Sequence, residues 1–165
     1  MMKLIFKQKM FSILDSYNVY SENGNVAYKV NGQLAVKHKL KIYDPQGNEL
    51  GVVNEKMVSI TPTFDLYENG KKIGSIKKKL FKLIGSSYSM DSLGWTAKGN
   101  FIEWDYSIHD SHGNLVAKIG KQILNLTDTY VLDIVNPQDA LHVLMFVIAV
   151  DAEKCSRDKK NSNRD

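Results

Sequence analysis

The residues of this chain best suited to binding chemistry are lysines, which crowd into one stretch of the sequence. Six lie in the twelve residues from 71 to 82: Lys71, Lys72, Lys77, Lys78, Lys79 and Lys82. Such a cluster can hold a phosphate or an anionic lipid headgroup, since each lysine near an anionic membrane contributes about 1 kcal/mol. The simpler interpretation is a solvated strand whose lysines discourage pairing between sheet edges. The stretch is therefore a candidate anionic headgroup-binding site.

Three consecutive lysines also constrain the backbone that carries them. Neighbouring side chains on a strand point to opposite faces, so Lys77, Lys78 and Lys79 cannot all lie outside a barrel whose interior is apolar. The sequence therefore predicts a bulge or a strand end at these residues. A second, smaller basic group is formed by Lys37, His38, Lys39 and Lys41.

Other side chains that could act in catalysis or bind a metal each have a simpler structural explanation. His109–His112 lies on a turn without a third histidine or a cysteine pair at metal-ligand spacing. His142 is expected inside the barrel or near its mouth, and Asp128, which could pair with Asp133 in acid–base catalysis, lies at a turn. Cys155 lacks the sequence context of a nucleophile. We predict no enzyme activity, no bound metal and no cofactor.

Composition narrows the class of partner and the compartment. The chain has 22 basic and 18 acidic residues, a mild net charge of +4, and its two arginines, Arg157 and Arg164, lie near the end, which disfavours nucleic acid. A single cysteine excludes an internal disulfide and favours the cytoplasm. Lys7 and Lys9 interrupt the opening apolar run, and the 11-residue stretch 140–150, which is apolar except at His142, is too short to cross a bilayer. We expect no transmembrane segment.

Regular turn signals predict the elements that must position these residues. Glycines in turn-forming contexts recur at Gly24, Gly47, Gly70, Gly94 and Gly113, separated by 23, 23, 24 and 19 residues. Two of these turns contain Asn-Gly, the favoured dipeptide of a two-residue hairpin loop, between segments of alternating polar and apolar residues. One hairpin fits each interval, so the first 135 residues hold roughly ten to twelve strands. That many antiparallel strands favour a closed barrel, because closure removes exposed edges.

The sequence then predicts one helix. Asn136 can cap it, Pro137 suits its first turn, and the residues from Ala140 to Val150 are apolar on every face except at His142. A helix that is apolar all round must be enclosed, so we predict that it runs through the middle of the barrel. Residues 1–154 are expected to form this single domain, and 155–165 a disordered polar tail.

The chain also resembles the LURP-one-related family, whose fold is shared with the tubby C-terminal domain and the phospholipid scramblases. The resemblance implies a barrel of twelve strands around a central helix, which agrees with the hairpin count. It covers about residues 3–151 and is carried by Phe6-Lys7-Gln8-Lys9 with Phe11, Leu40-Lys41-Ile42-Tyr43-Asp44, Leu93-Gly94-Trp95, Asp105-Tyr106-Ser107-Ile108, Val116-Ala117-Lys118-Ile119 with Lys121, Asp128-Thr129-Tyr130-Val131-Leu132-Asp133-Ile134 and Val147-Ile148-Ala149-Val150-Asp151.

The resemblance says less about function than about fold. Tubby proteins bind phosphoinositides and scramblases act at membranes, but a shared fold does not transfer a site. We therefore expect a non-enzymatic, cytoplasmic binding or scaffold module that attaches peripherally to anionic phospholipid or phosphoinositide at the inner membrane face. Two alternatives stay open: a module that binds a protein partner, and a small-ligand carrier or enzyme with its site at the barrel mouth.

Overall fold

A computed structural model of the chain describes residues 1–7, 16–33, 35, 37–81, 85–124 and 127–162. Twelve strands are followed by a short 3₁₀ turn (Pro137–Asp139) and one long helix, α1 (Ala140–Ser162). The strands are β1 (Met2–Lys7), β2 (Ser16–Ser21), β3 (Val26–Gly32), β4 (Lys39–Tyr43), β5 (Glu49–Glu55), β6 (Thr63–Glu68), β7 (Lys71–Phe81), β8 (Gly85–Met90), β9 (Trp95–Asn100), β10 (Asp105–His109), β11 (Leu115–Leu124) and β12 (Thr127–Ile134).

These strands form one closed antiparallel barrel. Each strand pairs with its neighbours in the chain, and β12 closes the barrel by pairing with β1, from Met2 opposite Ile134 to Lys7 opposite Thr129. The predicted turn at Asn69-Gly70 has φ angles of 50° and 74°, the left-handed values that a two-residue hairpin loop requires. The predicted barrel of about twelve strands is confirmed.

The helix α1 fills the barrel, as its all-round apolar character predicts. The side chain of Asn136 accepts a hydrogen bond from the backbone N–H of Gln138 at 3.2 Å, which caps the entry of the chain into the helical segment. Every side chain from Val143 to Val150 is at most 1% exposed. At Gly51 of β5, an added Cβ atom would collide with the Met145 methyl carbon, so this wall of the barrel comes very close to the helix.

The helix extends further than the sequence predicts. The disordered tail is expected to begin at residue 155, whereas α1 continues through Cys155 to Ser162. No glycine or proline follows Val150 to end the helix. Ser156 is also held by the barrel, because its Oγ lies 2.7 Å from His38 Nε2. Residues 163–165 of the predicted tail lie outside the described residues.

The alternation of strand direction gives the barrel two distinct ends. The turns at Gly24, Gly47, Gly70, Gly94 and Gly113 and the start of α1 share one end, which we call the entry end. The connections 56–62 and 101–104 and the last turns of α1 share the other end, the exit end, where β3 ends and β4 begins.

The three consecutive lysines lie on a regular strand. Pairing between β7 and β8 is continuous from Ile76 to Phe81, so the bulge or strand end predicted at Lys77–Lys79 is wrong. The alternation is preserved because Lys78 points inward, where its side chain is 6% exposed. The prediction assumed an apolar interior, but the interior carries charged groups near the exit end.

Candidate functional site

The structure does not bring the six predicted lysines together. Lys71 and Lys79 are both exposed, but they lie eight positions apart along β7, about 26 Å. Lys72 is paired with Asp65, with its Nζ 2.8 Å from Oδ1, and this pairing and hydrogen bond raise the pKa of Lys72. These lysines therefore do not form a single pocket around one headgroup.

The other three lysines differ from one another as well. Lys77 lies on the outer wall, 51% exposed, with its Nζ 3.9 Å from Asp91 Oδ2. Lys78 lies inside the barrel and is not available to a headgroup in this structure. Lys82 lies outside the described residues. Of the predicted set, Lys79 alone combines described exposure with a position toward the exit end.

Lys78 instead joins the barrel wall to the central helix. Its Nζ donates to Glu153 Oε1 at 2.7 Å, and Tyr88 Oη donates to Glu153 Oε2 at 2.6 Å. Burial and the hydrogen bond to Glu153 raise the pKa of Tyr88, so this phenol stays protonated. Both partners of the ion pair are nearly inaccessible to water, which makes the pair an internal clamp on the last turns of α1.

A second carboxyl group enters the same region without such a partner. Asp151 is buried, and among the described residues its Oδ1 and the hydroxyl of Tyr106 are the two buried side-chain atoms that lack a hydrogen-bond partner. Burial raises the pKa of Asp151 well above its ordinary value, and the charge of Lys154 opposes part of that shift. Tyr17 and Tyr106 also have raised pKa values, through burial first and the charge of Asp151 second.

Lys154 attaches the helix to the β9–β10 connection at the exit end. Its Nζ donates to the carbonyl oxygen of Ile102 at 3.2 Å and lies 4.8 Å from the centre of the Trp104 ring. Trp104 is buried with a φ of 57°, a left-handed conformation that is rare for a bulky residue, and its ring lies 4.2 Å from that of Tyr130. These contacts of Lys154 and Trp104 fix the β9–β10 connection to α1 and to the barrel interior, while Ile102 stays exposed.

The connection between β5 and β6 exposes an apolar loop at this same end. Met57, Val58 and Ile60 have relative exposures of 62%, 92% and 106%. We call these three residues the apolar tip. Ile102 on the β9–β10 connection is 74% exposed, but the β7–β8 pair lies between the two connections. The loop lies beside the lysine strand, because the carbonyl oxygen of Pro62 accepts a hydrogen bond from the Lys78 N–H at 3.1 Å. Scattered exposed apolar residues are ordinary, but three of them on one loop indicate a contact surface.

The sequence reasoning missed the apolar tip. Its signal is the segment Met57-Val58-Ser59-Ile60, which is apolar but lies between two strands instead of inside one. The lysine cluster is a signal of charge, whereas the tip is an exposed apolar loop at the exit end, toward which Lys79 also lies.

The remaining candidate residues are accounted for by local interactions. Lys37 pairs with Glu55 at 3.1 Å and Lys41 with Glu49 at 2.8 Å, so the second basic group is largely neutralised. A shallow groove of about 250 Å³ on this wall is lined by Lys39, Lys41, Glu49, Val52, Asn54, Tyr67 and Gly70. Neither feature concentrates unpaired charge.

Several of the candidate histidines and aspartates likewise make local hydrogen bonds or ion pairs. Asp110 accepts hydrogen bonds from the backbone N–H groups of His112 and Asn114, which closes the predicted turn. His142 lies near the entry end, 2.9 Å from Glu68. Asp133 pairs with Lys3 at 3.5 Å on the outer wall, and the side chain of Asp128 lies outside the described ones.

Within the described ranges, no three histidine, cysteine, aspartate or glutamate side chains come together as a metal-ligand group. None of the helices there has the length and apolar character that crossing a bilayer requires.

Comparison with known proteins identifies the relatives of this chain. A family model described as LURP-one-related matches residues 2–151. The uncharacterized protein YxjI of Bacillus subtilis (strain 168) is 26% identical over 152 residues, which is 92% of this chain and 93% of that protein. An X-ray structure of a protein from Arabidopsis thaliana superposes with a TM-score of 0.62 at 12% identity, covering 91% of each chain, which shows a shared fold.

Proposed function

This chain belongs to the LURP-one-related family, and from the geometry of its exit end we propose that it is a non-enzymatic module that docks peripherally on anionic phospholipid bilayers. The observation that carries the proposal is the exposed apolar tip at the end of the barrel toward which the exposed Lys79 of β7 also lies. Apolar side chains that enter the acyl boundary, with basic residues beside them for the headgroups, are the usual components of interfacial membrane binding.

The apolar tip supplies the larger part of the binding free energy. Fully burying a Val, Ile or Met side chain is worth about 1.5–3 kcal/mol, so partial insertion of three such side chains gives about 3 kcal/mol. Lys79, which is exposed toward the exit end, adds about 1 kcal/mol near an anionic surface. The sum corresponds to weak, reversible attachment.

The filled interior supports a binding role over catalysis. Barrel proteins that act on small molecules commonly place the site in the barrel mouth or lumen. In this chain, α1 occupies the lumen from Ala140 to Val150. The surface available to a partner is therefore the outside of the barrel and its two ends.

The separation of the lysines along β7 also bears on whether the module selects one particular headgroup. Since Lys71, Lys72 and Lys78 do not converge with Lys79, recognition is expected to depend on surface charge density and not on one headgroup's stereochemistry. Vesicles that carry phosphatidylserine or a phosphoinositide at matched charge should therefore bind the chain equally.

Flotation with vesicles tests the role of the apolar tip. The double variant Val58→Asp, Ile60→Asp should lose at least tenfold in binding to vesicles containing phosphatidylserine, because two charges would have to enter the acyl boundary. Leu115→Asp, a partly exposed leucine at the entry end, is the matched control and should bind like the parent chain.

A pair of charge-reversal variants measures how much Lys79 contributes to vesicle binding. Lys79→Glu should weaken binding at low salt, whereas Lys118→Glu, which makes the same change in net charge on β11, should not. Equal losses in the two variants, or in the Leu115→Asp control, would overturn docking through the exit end. Failure of the parent chain to float with any vesicle would leave a protein as the partner of the apolar tip.

A further inference from the structure

A polar groove of about 460 Å³ lies on the outer wall of β9 and β10, toward the entry end. Two neighbouring turns meet beside it. Gly94 in the β8–β9 turn has a φ of 65°, and a Cβ atom added there would lie 3.2 Å from the Cβ of Ser111 in the β10–β11 turn. The two turns are therefore in near contact at this end of the groove.

Strand register places polar side chains along the rest of the groove. Thr96 pairs with His109 across β9 and β10, and Lys98 lies two residues beyond Thr96 on the same face. Both neighbours of Thr96 on β9 are buried, so Thr96 and Lys98 point away from the core. Together with Ser111, these side chains line a single groove.

The groups of the groove that are free to contact a ligand are mainly hydrogen-bond donors. The ammonium group of Lys98 is exposed and makes no ion pair or hydrogen bond with the described residues. Asp110 also lines the groove, but its Oδ1 accepts from the N–H groups of His112 and Asn114, and its Oδ2 accepts from the Asn114 amide. Ser111 Oγ lies 3.4 Å from His112 Nδ1, a long contact that leaves its hydroxyl able to donate elsewhere.

Donors of these types match a phosphate group. Lysine is a common contact of phosphate, whereas the planar fork of arginine best matches a carboxylate, and no arginine is among the described lining residues. Those residues also include no aliphatic, phenyl or indole side chain on which an acyl chain or a base could pack. The volume lies within the range of about 300–1,000 Å³ that small-molecule sites have. The groove therefore suits a small, polar ligand.

We propose that this groove binds a small phosphate-bearing anion from solution, either inorganic phosphate or a phosphate monoester of a small polar molecule. Lys98 supplies the charged contact, and Thr96, His109 and Ser111 donate hydrogen bonds to the phosphate oxygens. Since the groove lies toward the entry end, a bilayer docked at the exit end leaves it facing the solution. The inference does not depend on membrane docking.

Amide chemical shifts of the full chain, recorded during a titration, test the groove. At constant ionic strength, inorganic phosphate and glucose 6-phosphate should each cause saturable shifts at residues 94–98 and 109–113, and glucose should cause none. Saturation by both probes identifies the phosphate group alone as the ligand, and saturation by glucose 6-phosphate alone identifies a monoester. The absence of a saturable shift with either probe, or equal shifts with glucose, would overturn the proposal.

Two exposed lysines on the same wall separate the groove from general surface charge. Lys98→Ala should weaken the binding of glucose 6-phosphate about fivefold or more, because the charged contact is lost. Lys118→Ala is the matched control on β11, outside the groove, and should change binding by less than about twofold. Equal losses in the two variants would overturn the proposal.

Vesicle flotation separates a soluble ligand from a lipid headgroup. Lys98→Ala should bind vesicles containing phosphatidylserine like the parent chain, since the groove faces away from the docked bilayer. Loss of vesicle binding in this variant would make a lipid headgroup the occupant of the groove, which would overturn a ligand taken from solution.

Discussion

Replacing Lys78 with methionine is expected to lower the free energy of unfolding by about 3–5 kcal/mol, the largest effect that we predict for any single substitution. The change leaves the carboxylate of Glu153, a residue of α1, buried without the ammonium group that lies 2.7 Å from it. Removing one partner of a buried ion pair is costly because the remaining charge stays desolvated. Urea denaturation followed by tryptophan fluorescence measures the loss.

Two variants establish that the loss comes from the unpaired charge. Lys77→Met, one residue earlier on the outer wall, removes the same side chain from an exposed position and should change stability by no more than about 0.5 kcal/mol. Lys78→Met combined with Glu153→Gln should recover most of the loss, because both charges are gone and the glutamine can still accept from Tyr88. A double variant as unstable as Lys78→Met alone would contradict this account.

Asp151→Asn is expected to stabilise the chain, and the gain should grow with pH. Burial raises the pKa of Asp151 in the folded state above its unfolded value. A raised carboxyl pKa means that the folded state holds its proton more tightly, so stability is fully present below the unfolded pKa and is lost as pH rises through the folded pKa. The asparagine variant escapes this loss, by up to about 1.4 kcal/mol for each pH unit above about 4.

The measurement is a pH series of urea unfolding curves at constant ionic strength. The parent chain should lose stability relative to Asp151→Asn from about pH 4 upward. Asp133→Asn, in the 40%-exposed pair with Lys3, makes the same chemical change and should show only a small pH-dependent difference from the parent. A stability difference between Asp151→Asn and the parent that does not change with pH would show that Asp151 titrates normally.

The architecture could be predicted because its signals are local. Turn glycines at regular spacing gave the hairpins, and Asn136 with Pro137 gave the start of the helical segment. An apolar helix without a polar face leaves one arrangement, a helix enclosed by its own sheet, and this is the arrangement found. The resemblance to the LURP-one-related family agreed with the same fold.

The arrangement of the polar groups could not be predicted, since it depends on contacts between residues far apart in sequence. The inward orientation of Lys78 is stabilised by Glu153, 75 residues later. The length of the helix beyond 155 depends on contacts such as that between Ser156 and His38. The exposure of Met57, Val58 and Ile60 follows from the position of their loop at a barrel end, which no local pattern reveals.

The measurement that tests membrane docking most directly is the environment of single labelled positions. In a Cys155→Ser background, an environment-sensitive dye is placed at the exit end by Val58→Cys or at the entry end by Leu115→Cys, and vesicles containing phosphatidylserine are added. Docking through the exit end predicts a blue-shifted emission for the dye at position 58 and an unchanged spectrum at position 115. An unchanged spectrum at position 58, or equal shifts at both positions, would contradict it.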